Sequence, residues 1–356
     1  MDVARFLEQK ASLVDKAIEK YIPRSFTKDA EIFRLIPPTY SYNLETLNKA
    51  MAEPVWEFLD RGGKRWRPAL FLLICEALGR DSDEFVDFAI IPEVIHNGTL
   101  MVDDIEDASE LRRGKPCTYK IYGMDIAINA GNAMYYLPLL PLIKHRKKLS
   151  AEKLAKAYEV YVKEMINLSL GQAMDIAWHR GIANADKLDE KDYLQMCAYK
   201  TGTLARMSAK LAAVLEGADE ELAEKLGLFA ESVGVAFQMQ DDVLDLTGEE
   251  FEKKKGGRGQ DITEGKRSLV VIHTLKVAEA KNGKRLIGIL NMHTQDQRLR
   301  DEAIAIMKKY GSIDYVKQFA RKMIMESWDE AERLLPPNEG KERLKAFAEF
   351  LIERKI

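Results

Sequence analysis

The stretch that most restricts the fold is MVDDIEDASELRRGKP, residues 101–116, which places four carboxylates within five positions. If this stretch is helical, Asp103 and Asp107 project from one face, where neighbouring side chains lie about 5–6 Å apart. The segment FQMQDDVLDLTG, residues 237–248, repeats the spacing with Asp241 and Asp245. Two acidic faces at the ends of apolar helical runs predict one cation site shared between helices.

Mg²⁺ suits such a site, because it prefers one or two protein carboxylates together with substrate phosphates and water. Carboxylates at the C-terminal end of a helix also meet the negative end of its dipole, an arrangement that a bound cation would stabilise. The alternative is that both clusters are solvated acidic faces. The apolar residues 99–102 and 233–237 that precede the clusters argue against that alternative.

The composition excludes several classes of protein. With 356 residues and a net charge of −3, the chain offers no global reason to bind nucleic acid. Its three cysteines are widely spaced and odd in number, which favours a reduced, cytoplasmic setting. The N-terminus fits neither a secretory signal nor a transit peptide. The longest apolar runs, residues 69–75 and 137–143, fall short of the roughly 20 residues of a membrane span, so none is expected.

Helical periodicity recurs along the whole chain, and no strand alternation or flexible linker interrupts it. We therefore predict an all-α fold: one domain over residues 1–356, a single large helical bundle around a central hydrophobic cavity. Residues 23–43 are expected to be irregular, and residues 247–265 a mobile loop. The predicted helices cover residues 1–22, 44–60, 66–78, 84–104, 125–142, 151–179, 189–215, 220–246, 267–281, 297–309, 312–334 and 341–354.

Four basic motifs accompany the acidic ones: GGKRWRP at 62–68, RRG at 112–114, KTG at 200–202 and GK at 265–266. A site that holds both cations and fixed positive side chains implies a polyanion that bridges them, and diphosphate is the natural candidate. Arginine offers planar bidentate contacts to phosphate, while lysine supplies a compact charge. Each motif alone is common on protein surfaces, but the occurrence of all four in this order with two aspartate motifs is not.

In that order, GGKRWRP, EVIHNGTLMVDDIEDASELRRGKP, KTG, FQMQDDVLDLTG and DITEGK resemble the motifs of the trans-isoprenyl diphosphate synthases. The resemblance extends over about residues 60–270 and is greatest to the geranylgeranyl diphosphate synthases. It implies the isoprenoid synthase fold, Mg²⁺ as cofactor with several ions bridging the allylic diphosphate, and a homodimer. The implied substrates are isopentenyl diphosphate and an allylic diphosphate.

The resemblance also assigns roles to individual residues. The catalytic set would comprise two groups, the metal-binding aspartates and three residues at the allylic site. The metal would be bound by Asp103, Asp107 and Asp241 with Asp245, and the allylic diphosphate would be held by Arg112. Isopentenyl diphosphate would be held by Lys64, Arg67, His96 and Arg113. The allylic site would be lined by Lys200, Thr201, Gln238 and Lys266, the first three as catalytic residues. The alternative for His96 is a structural role in the core. Its position seven residues before Asp103 argues against that alternative.

The implied reaction is ionisation of the allylic C–O bond, attack by the double bond of isopentenyl diphosphate, and loss of a proton. Mg²⁺ would act as Lewis acid and template, and Thr201 and Gln238 would stabilise the carbocation by electrostatic preorganisation. Water would capture that cation as an alcohol. Residues 247–265 and 354–356 are therefore candidate lids.

Product length in this family depends on the bulk that blocks the channel beneath the first aspartates. Gly98 and Thr99 stand where short-chain farnesyl synthases have aromatic residues, so the floor is not expected there. Tyr135 and Tyr136 align with positions that close the tunnel deeper, which predicts a twenty-carbon product, geranylgeranyl diphosphate. The alternative for the two tyrosines is a core or interface role.

Other functions stay open at this stage: a farnesyl or longer-chain polyprenyl synthase, a terpene cyclase, or a non-catalytic prenyl diphosphate-binding subunit of a heteromeric synthase. Cyclases generally lack the isopentenyl-binding set, and degraded aspartate motifs would mark a non-catalytic subunit. One departure from the family pattern is the absence of a lysine just before Asp261, where Lys255 and Arg258 are the candidate substitutes.

Overall fold

The computed structural model describes residues 3–248 and 258–353, most of which are helical. This confirms the predicted all-α class. The chain divides into two compact units. Unit 1 comprises Met1–Tyr161, Met207–Glu224 and Leu335–Ala346, and unit 2 comprises Val162–Arg206, Lys225–Leu334 and Phe347–Ile356. Each unit is described by itself below, and the single domain over residues 1–356 stays a prediction.

The elements follow in chain order. The first set is α1 Val3–Tyr21, α2 Glu31–Leu35, α3 Leu44–Leu47, α4 Glu53–Leu59, α5 Trp66–Ala77, α6 Val86–Glu106, β1 Leu111–Arg112, β2 Lys115–Pro116, α7 Thr118–Tyr122, α8 Met124–Tyr136 and α9 Leu140–His145. The second set is α10 Ala151–His179, α11 Glu190–Cys197, α12 Thr203–Glu216, α13 Glu220–Thr247, α14 Gln260–Thr263, α15 Leu269–Val277, α16 Ala280–Asn291, α17 Gln297–Lys309, α18 Ser312–Glu332 and α19 Glu339–Glu353. Short 3₁₀ or π turns join several of them.

In unit 1, helix α6 packs mainly against α8. Their closest approach is at Gly98 and Gly131. A methyl group at Gly98 would lie 2.7 Å from the Gly131 carbonyl oxygen, and one at Gly131 would lie 2.9 Å from Val102 Cγ2. Only residues without a side chain allow this crossing, so the two glycines fix how α8 lies on the helix that carries the first aspartate motif.

The twin arginine of residues 112–113 lies on a small hairpin that the sequence did not predict. Leu111 pairs with Pro116 and Arg112 with Lys115 in antiparallel register. The two turn residues, Arg113 and Gly114, have φ of 52° and 78°, which the hairpin turns that match strand twist require. Because each strand has only two residues, alternation could not reveal it. The turn sends the two arginine side chains to different partners.

In unit 2, Trp328 of α18 packs edge-to-face on Phe229 of α13, with ring centroids 5.1 Å apart, and both side chains are buried. Helix α16 was missed by the sequence analysis, since Gly283 and Gly288 weaken its helical signal. Its buried residues Leu286 and Ile289 supply the packing that overrides propensity. The predicted helix over residues 189–215 is interrupted by a π-helical turn at Ala198–Gly202, which contains the KTG motif.

Two helical stretches are long and apolar enough to cross a membrane by length and composition alone, Ser82–Glu106 and Met124–His145. Within their apolar windows 61% and 44% of the residues are buried inside the protein. Buried core helices pass the same test, and α6 packs on α5 and α8. The two stretches are therefore weak evidence of a membrane span.

Glu216, at the end of α12, makes unit 1 sensitive to pH. Its side chain is 5% exposed, Oε2 lies 3.1 Å from Arg80 Nε, and Oε1 has no hydrogen-bond partner among the described residues. Burial raises the pKa of Glu216 from 4.5 to about 7, although the charges of Arg80 and Lys153 oppose that shift. Between pH 4.5 and about pH 7, Glu216 keeps a proton in the folded chain that it has released in the unfolded chain. The free energy of unfolding therefore falls as pH rises through that range.

We expect Glu216→Gln to remove this dependence. At pH 8 the variant should be more stable than the wild type by about 1–3 kcal/mol, and at pH 4.5 the two should be equal. Urea denaturation at a series of pH values measures the difference. Parallel curves for the two proteins would show that Glu216 titrates normally in the folded state.

Candidate active site

The first aspartate motif lies at the C-terminal end of α6, which closes in a Schellman motif. The backbone N–H of Ala108 donates to the Ile105 carbonyl and that of Ser109 to the Asp104 carbonyl. Ala108 takes the left-handed conformation, with φ of 51°, where glycine is usual. Asp103 keeps 18% of its side chain exposed, and Asp107, the C-cap residue, is exposed. Both carboxylates are therefore accessible at the negative end of the helix dipole.

Between them, Asp104 has a different role. It is 1% exposed, and its Oδ1 accepts a hydrogen bond of 2.7 Å from Arg112 Nε. Arg112 Nη2 also lies 3.7 Å from Asp103 Oδ2. Burial would lower the pKa of Arg112, but the carboxylates of Asp104 and Asp103 raise it. Arg112 is thus a fixed cation directly beside the first aspartate motif.

Two arginines of the predicted isopentenyl site, Arg67 and Arg113, lie close enough to His96 to affect its charge. Burial lowers the pKa of His96 well below its ordinary value, and the charges of Arg67, Arg113 and Arg112 lower it further. Histidine 96 is therefore neutral at pH 7 and acts as a hydrogen-bonding group among guanidinium cations. Arg67 is buried, with its guanidinium 4.5 Å from the Trp66 ring centroid. Lys64 is exposed in the loop before α5.

In unit 2, three glycines build the KTG site. A methyl group at Gly171 of α10 would lie 2.3 Å from the Lys200 backbone nitrogen, and one at Gly234 of α13 would lie 2.8 Å from Gly202 Cα. Both helices thus press on the π-helical turn. One turn beyond Gly171, Asp175 pairs with the Lys200 ammonium. One turn beyond Gly234, Gln238 accepts a hydrogen bond of 3.1 Å from the Thr201 hydroxyl.

These side chains line an open cavity in unit 2. Lys266 lies there with its ammonium 3.2 Å from Asp261 Oδ1 and 2.6 Å from Glu264 Oε2. Burial alone would lower the pKa of Lys266, but the surrounding carboxylates raise it well above its ordinary value. The lining combines cations, carboxylates and an apolar wall: Asp175, Trp178, Ala185, Tyr193, Met196, Lys200, Thr201, Gln238, Asp242, Gly265, Lys266, Arg267 and Ser268. Such a lining fits a molecule with an anionic head and an apolar body.

The second aspartate motif divides into three environments. Asp241 is half-buried. Asp242 is buried and accepts hydrogen bonds from Tyr193 Oη at 2.7 Å and Gln238 Nε2 at 2.9 Å; burial and the charge of Asp261 raise its pKa. Asp245 is 2% exposed.

Both carboxylate oxygens of Asp245 accept backbone hydrogen bonds, from the N–H groups of Gln260 at 3.2 Å and Asp261 at 3.1 Å. In this arrangement Asp245 caps the start of α14. The Asp245 carboxylate is thus more buried than that of Asp241, and the assignment of both as metal ligands stays a prediction. The spacing alone could not show this burial, because the capped backbone lies about fifteen residues further along the chain.

Within the described ranges no group of three or more His, Cys, Asp or Glu side chains is arranged as a closed metal site. The donor chemistry nevertheless fits Mg²⁺. Asp103 and Asp107 are accessible carboxylates one turn apart, and Mg²⁺ commonly takes one or two such ligands with substrate phosphates and water. The residues present would therefore hold the ion together with a diphosphate.

The predicted chain-length residues fall into different places. The side-chain position of Gly98 is filled by α8, and a methyl group there would lie 3.2 Å from Tyr135 Cε1. Gly98 therefore lies at the crossing of α6 and α8, and its role in product length stays a prediction. Thr99 donates a hydrogen bond of 2.7 Å to the His96 carbonyl. Tyr135 is half-buried, and burial and the charges of Glu106 and Asp103 raise its pKa. Tyr136 is 66% exposed.

Sequence reasoning missed several site residues because their partners are distant in the chain. The missed residues are Arg65, Glu93, Asn97, Asp104, Asp175, Tyr193 and Asp242. Of the candidates near Asp261, Arg258 pairs with Asp301 at 2.7 Å. Lys255, residues 249–257 of the predicted lid 247–265, and the predicted lid 354–356 lie outside the described residues.

This helical fold and these site chemistries define a protein suited to ligands with an anionic head and an apolar body. Residues 48–307 match the profile of the polyprenyl synthetase family, and the chain belongs to that family. It is therefore a trans-prenyltransferase.

The chain is 33% identical to the geranylgeranyl diphosphate synthase of Methanosarcina mazei, over 93% of this chain and 96% of that relative. It is 31% identical to the geranylfarnesyl diphosphate synthase of Natronomonas pharaonis, over 83% and 87%. Among solved structures, the geranylgeranyl pyrophosphate synthetase of Pyrococcus horikoshii superposes with a TM-score of 0.82 at 33% identity, covering 98% of this chain and 97% of that one.

Proposed function

We propose that the protein is a Mg²⁺-dependent synthase that condenses isopentenyl diphosphate with an allylic diphosphate and releases a linear all-trans product, geranylgeranyl diphosphate. The observation that carries the proposal is the unit 2 cavity, where Lys200 and Lys266 share a lining with Trp178 and Met196. A diphosphate head and a prenyl chain require these two kinds of surface together.

Asp103, Asp107 and Asp241 would hold Mg²⁺, which when bound neutralises the charge of the departing diphosphate. Arg112 contributes a further fixed positive charge beside the first motif. Because Lys200 and Lys266 are paired with carboxylates in the cavity, binding of diphosphate exchanges those partners for phosphate oxygens. The oxygens of Thr201 and Gln238 supply partial negative charge where an allylic cation develops.

In unit 1, Lys64, Arg67, His96 and Arg113 would hold isopentenyl diphosphate. Neutral His96 can donate one hydrogen bond to phosphate without adding to the repulsion among the arginines. No protein nucleophile is required, because the isopentenyl double bond attacks the cation and a proton is then lost.

The structure sharpens the prediction of product length. Tyr135 covers the Gly98 crossing while Tyr136 faces outward. We expect Tyr135→Ala alone to yield products longer than twenty carbons and Tyr136→Ala alone to leave product length unchanged. Mass spectrometry of the products distinguishes the outcomes. If Tyr135→Ala keeps the wild-type product, Tyr135 does not limit the chain.

We also propose the homodimer that the family resemblance implies. Exposed apolar residues recur every fourth position, and thus share one face, on each of two helices: Met124 and Ile128 on α8 in unit 1, and Val162, Ile166 and Leu170 on α10 in unit 2, from 39% to 56% exposed. Exposed apolar faces often mark sites of protein association. Ile128→Glu should weaken self-association at least about tenfold by burying a charge. Sedimentation velocity tests this, and a monomeric wild type would contradict the proposal.

The deciding experiment incubates the purified protein with Mg²⁺, isopentenyl diphosphate and each allylic primer in turn, with products read by mass spectrometry. A twenty-carbon diphosphate supports the full proposal, and a fifteen- or twenty-five-carbon product corrects the length only. Absence of metal-dependent diphosphate release with every primer would refute the enzyme and favour the non-catalytic subunit. The cytoplasmic location stays a prediction.

A further inference from the structure

We propose that Glu93 and Asn97 are positioning residues that hold Arg113 in the orientation in which it binds isopentenyl diphosphate. This inference rests on the proposed function. It names two residues that would contribute through their hydrogen bonds and not through contact with phosphate. Both lie on α6 one turn apart, and they are 2% and 0% exposed. They are buried polar residues, and Asn97 contacts Arg113 of the predicted isopentenyl site.

The hydrogen bonds form a relay with a fixed direction. Glu93 Oε1 accepts from Arg65 Nη1 at 2.9 Å and from Asn97 Nδ2 at 2.9 Å. Asn97 Nδ2 also donates to the Glu93 carbonyl at 2.8 Å. Since the amide nitrogen of Asn97 is committed to Glu93, its oxygen faces the other way and accepts from Arg113 Nη2 at 3.2 Å. The carboxylate of Glu93 thus determines which atom Arg113 meets.

Charge gives the relay its importance. Burial, together with the positive charges of Arg65, Arg112 and Arg61, lowers the pKa of Arg113 to about 10. Glu93 is the carboxylate whose charge opposes that trend. A buried guanidinium among like charges would otherwise move away from them, because unpaired buried charge is costly. The negative charge of Glu93 offsets this repulsion.

The same relay holds the GGKR loop. Arg65 is in the left-handed region, with φ of 48°, and its Nη2 donates to the Leu59 carbonyl at 3.2 Å. Arg113 Nη1 donates to the Gly62 carbonyl. Gly63 lies between the two guanidinium groups, and a methyl group there would be 3.2 Å from Arg65 Nη1 and 3.3 Å from Arg113 Nη2. The loop, α6 and the arginine hairpin are thus joined through Glu93 and Asn97. Arg65 has a second carboxylate partner in Asp15, whose Oδ1 lies 3.0 Å from Arg65 Nε.

A double-mutant cycle tests the inference with Asn97→Ala, Arg113→Ala and the double variant. Asn97→Ala should raise KM for isopentenyl diphosphate about tenfold and leave KM for the allylic primer within about twofold. If Asn97 acts through Arg113, the double variant is no worse than Arg113→Ala alone. Calorimetric titration with isopentenyl diphosphate alone should show the same loss of affinity. Additive losses, or equal changes in both KM values, would overturn the inference.

Glu93→Gln keeps the shape and the acceptor oxygen but removes the charge, so it tests the relay even if Asn97→Ala fails to fold. It too should raise KM for isopentenyl diphosphate selectively, by about tenfold. Glu164→Gln is the matched control, since Glu164 is 3% exposed and pairs with Arg206 at 2.8 Å in unit 2. The control should lose comparable stability with KM for isopentenyl diphosphate unchanged. An equal rise in KM in both variants would show a general structural effect.

The outcomes separate this inference from the proposed function. A wild-type protein that binds isopentenyl diphosphate but transfers no prenyl group refutes the synthase. The positioning role is then decided by calorimetry on the same variants. A wild-type protein that makes product while Asn97→Ala and Glu93→Gln bind isopentenyl diphosphate normally refutes the positioning role alone.

Discussion

Asp103→Ala is expected to lower kcat for prenyl transfer at least about a thousandfold, or about 4 kcal/mol in the barrier. The variant removes an accessible carboxylate from the end of α6 but leaves Arg112 paired with the buried Asp104. The loss should therefore come from the metal and not from displacement of the arginine. Steady-state kinetics over a range of Mg²⁺ concentrations would show both the fall in kcat and a raised Mg²⁺ requirement.

Asp125→Asn provides the control for that experiment. Asp125 is an exposed aspartate in the first turn of α8, and its carboxylate accepts a hydrogen bond from the Ile126 backbone. It should retain kcat and the Mg²⁺ requirement of the wild type. If Asp103→Ala stays within tenfold of the wild type, the first aspartate motif is not a metal site, and the ionisation chemistry would need another source of charge neutralisation.

The long helices were predictable from sequence because their apolar periodicity is strong. Helix α6 was expected over residues 84–104 and runs over Val86–Glu106; α10 was expected over 151–179 and has those bounds. In both helices many side chains pack on neighbouring helices, so apolar residues recur with the helical period and the sequence predicts which positions are buried. The aspartate motifs, placed at the ends of such helices, could be located with the same certainty.

Local packing, by contrast, could not be read from the pattern. The KTG motif was assigned to a continuous helix, but close contacts with Gly171 and Gly234 accompany a π-helical turn there. The glycines that allow these contacts are distant in the chain, and each alone reads as a weak point in a helix. The same holds for Glu93 and Asn97, whose partners Arg65 and Arg113 come from elements 28 and 16 residues away.

The repeated spacing of the two aspartate motifs placed Asp241 and Asp245 on one helix face, and in the structure the two carboxylates have different surroundings. Helical spacing fixes only which side chains share a face. What covers that face depends on the backbone of residues 259–261, which returns to α13 through hydrogen bonds to Asp245. One aspartate of the motif thus remains half-buried, while the other becomes a helix cap.

This separation leads to a contrast between two isosteric variants. Asp241→Asn should lower kcat at least about a thousandfold and raise the Mg²⁺ requirement, because a neutral amide is a poor ligand for a hard cation. Asp245→Asn should leave the Mg²⁺ requirement unchanged. Its amide can accept only one of the two backbone hydrogen bonds and presents a donor to the other, which costs about 1–3 kcal/mol of stability.

Asp245→Asn should nevertheless affect the allylic substrate. Lys266 is joined to the capped turn through Asp261, whose side chain lies 3.2 Å from the ammonium and whose carbonyl accepts the Lys266 backbone N–H at 2.9 Å. Loosening the cap displaces that cation, so KM for the allylic diphosphate should rise about tenfold while KM for isopentenyl diphosphate stays constant. Thermal denaturation and metal-dependent kinetics on both variants measure the contrast. If Asp245→Asn raises the Mg²⁺ requirement as much as Asp241→Asn does, Asp245 is a metal ligand.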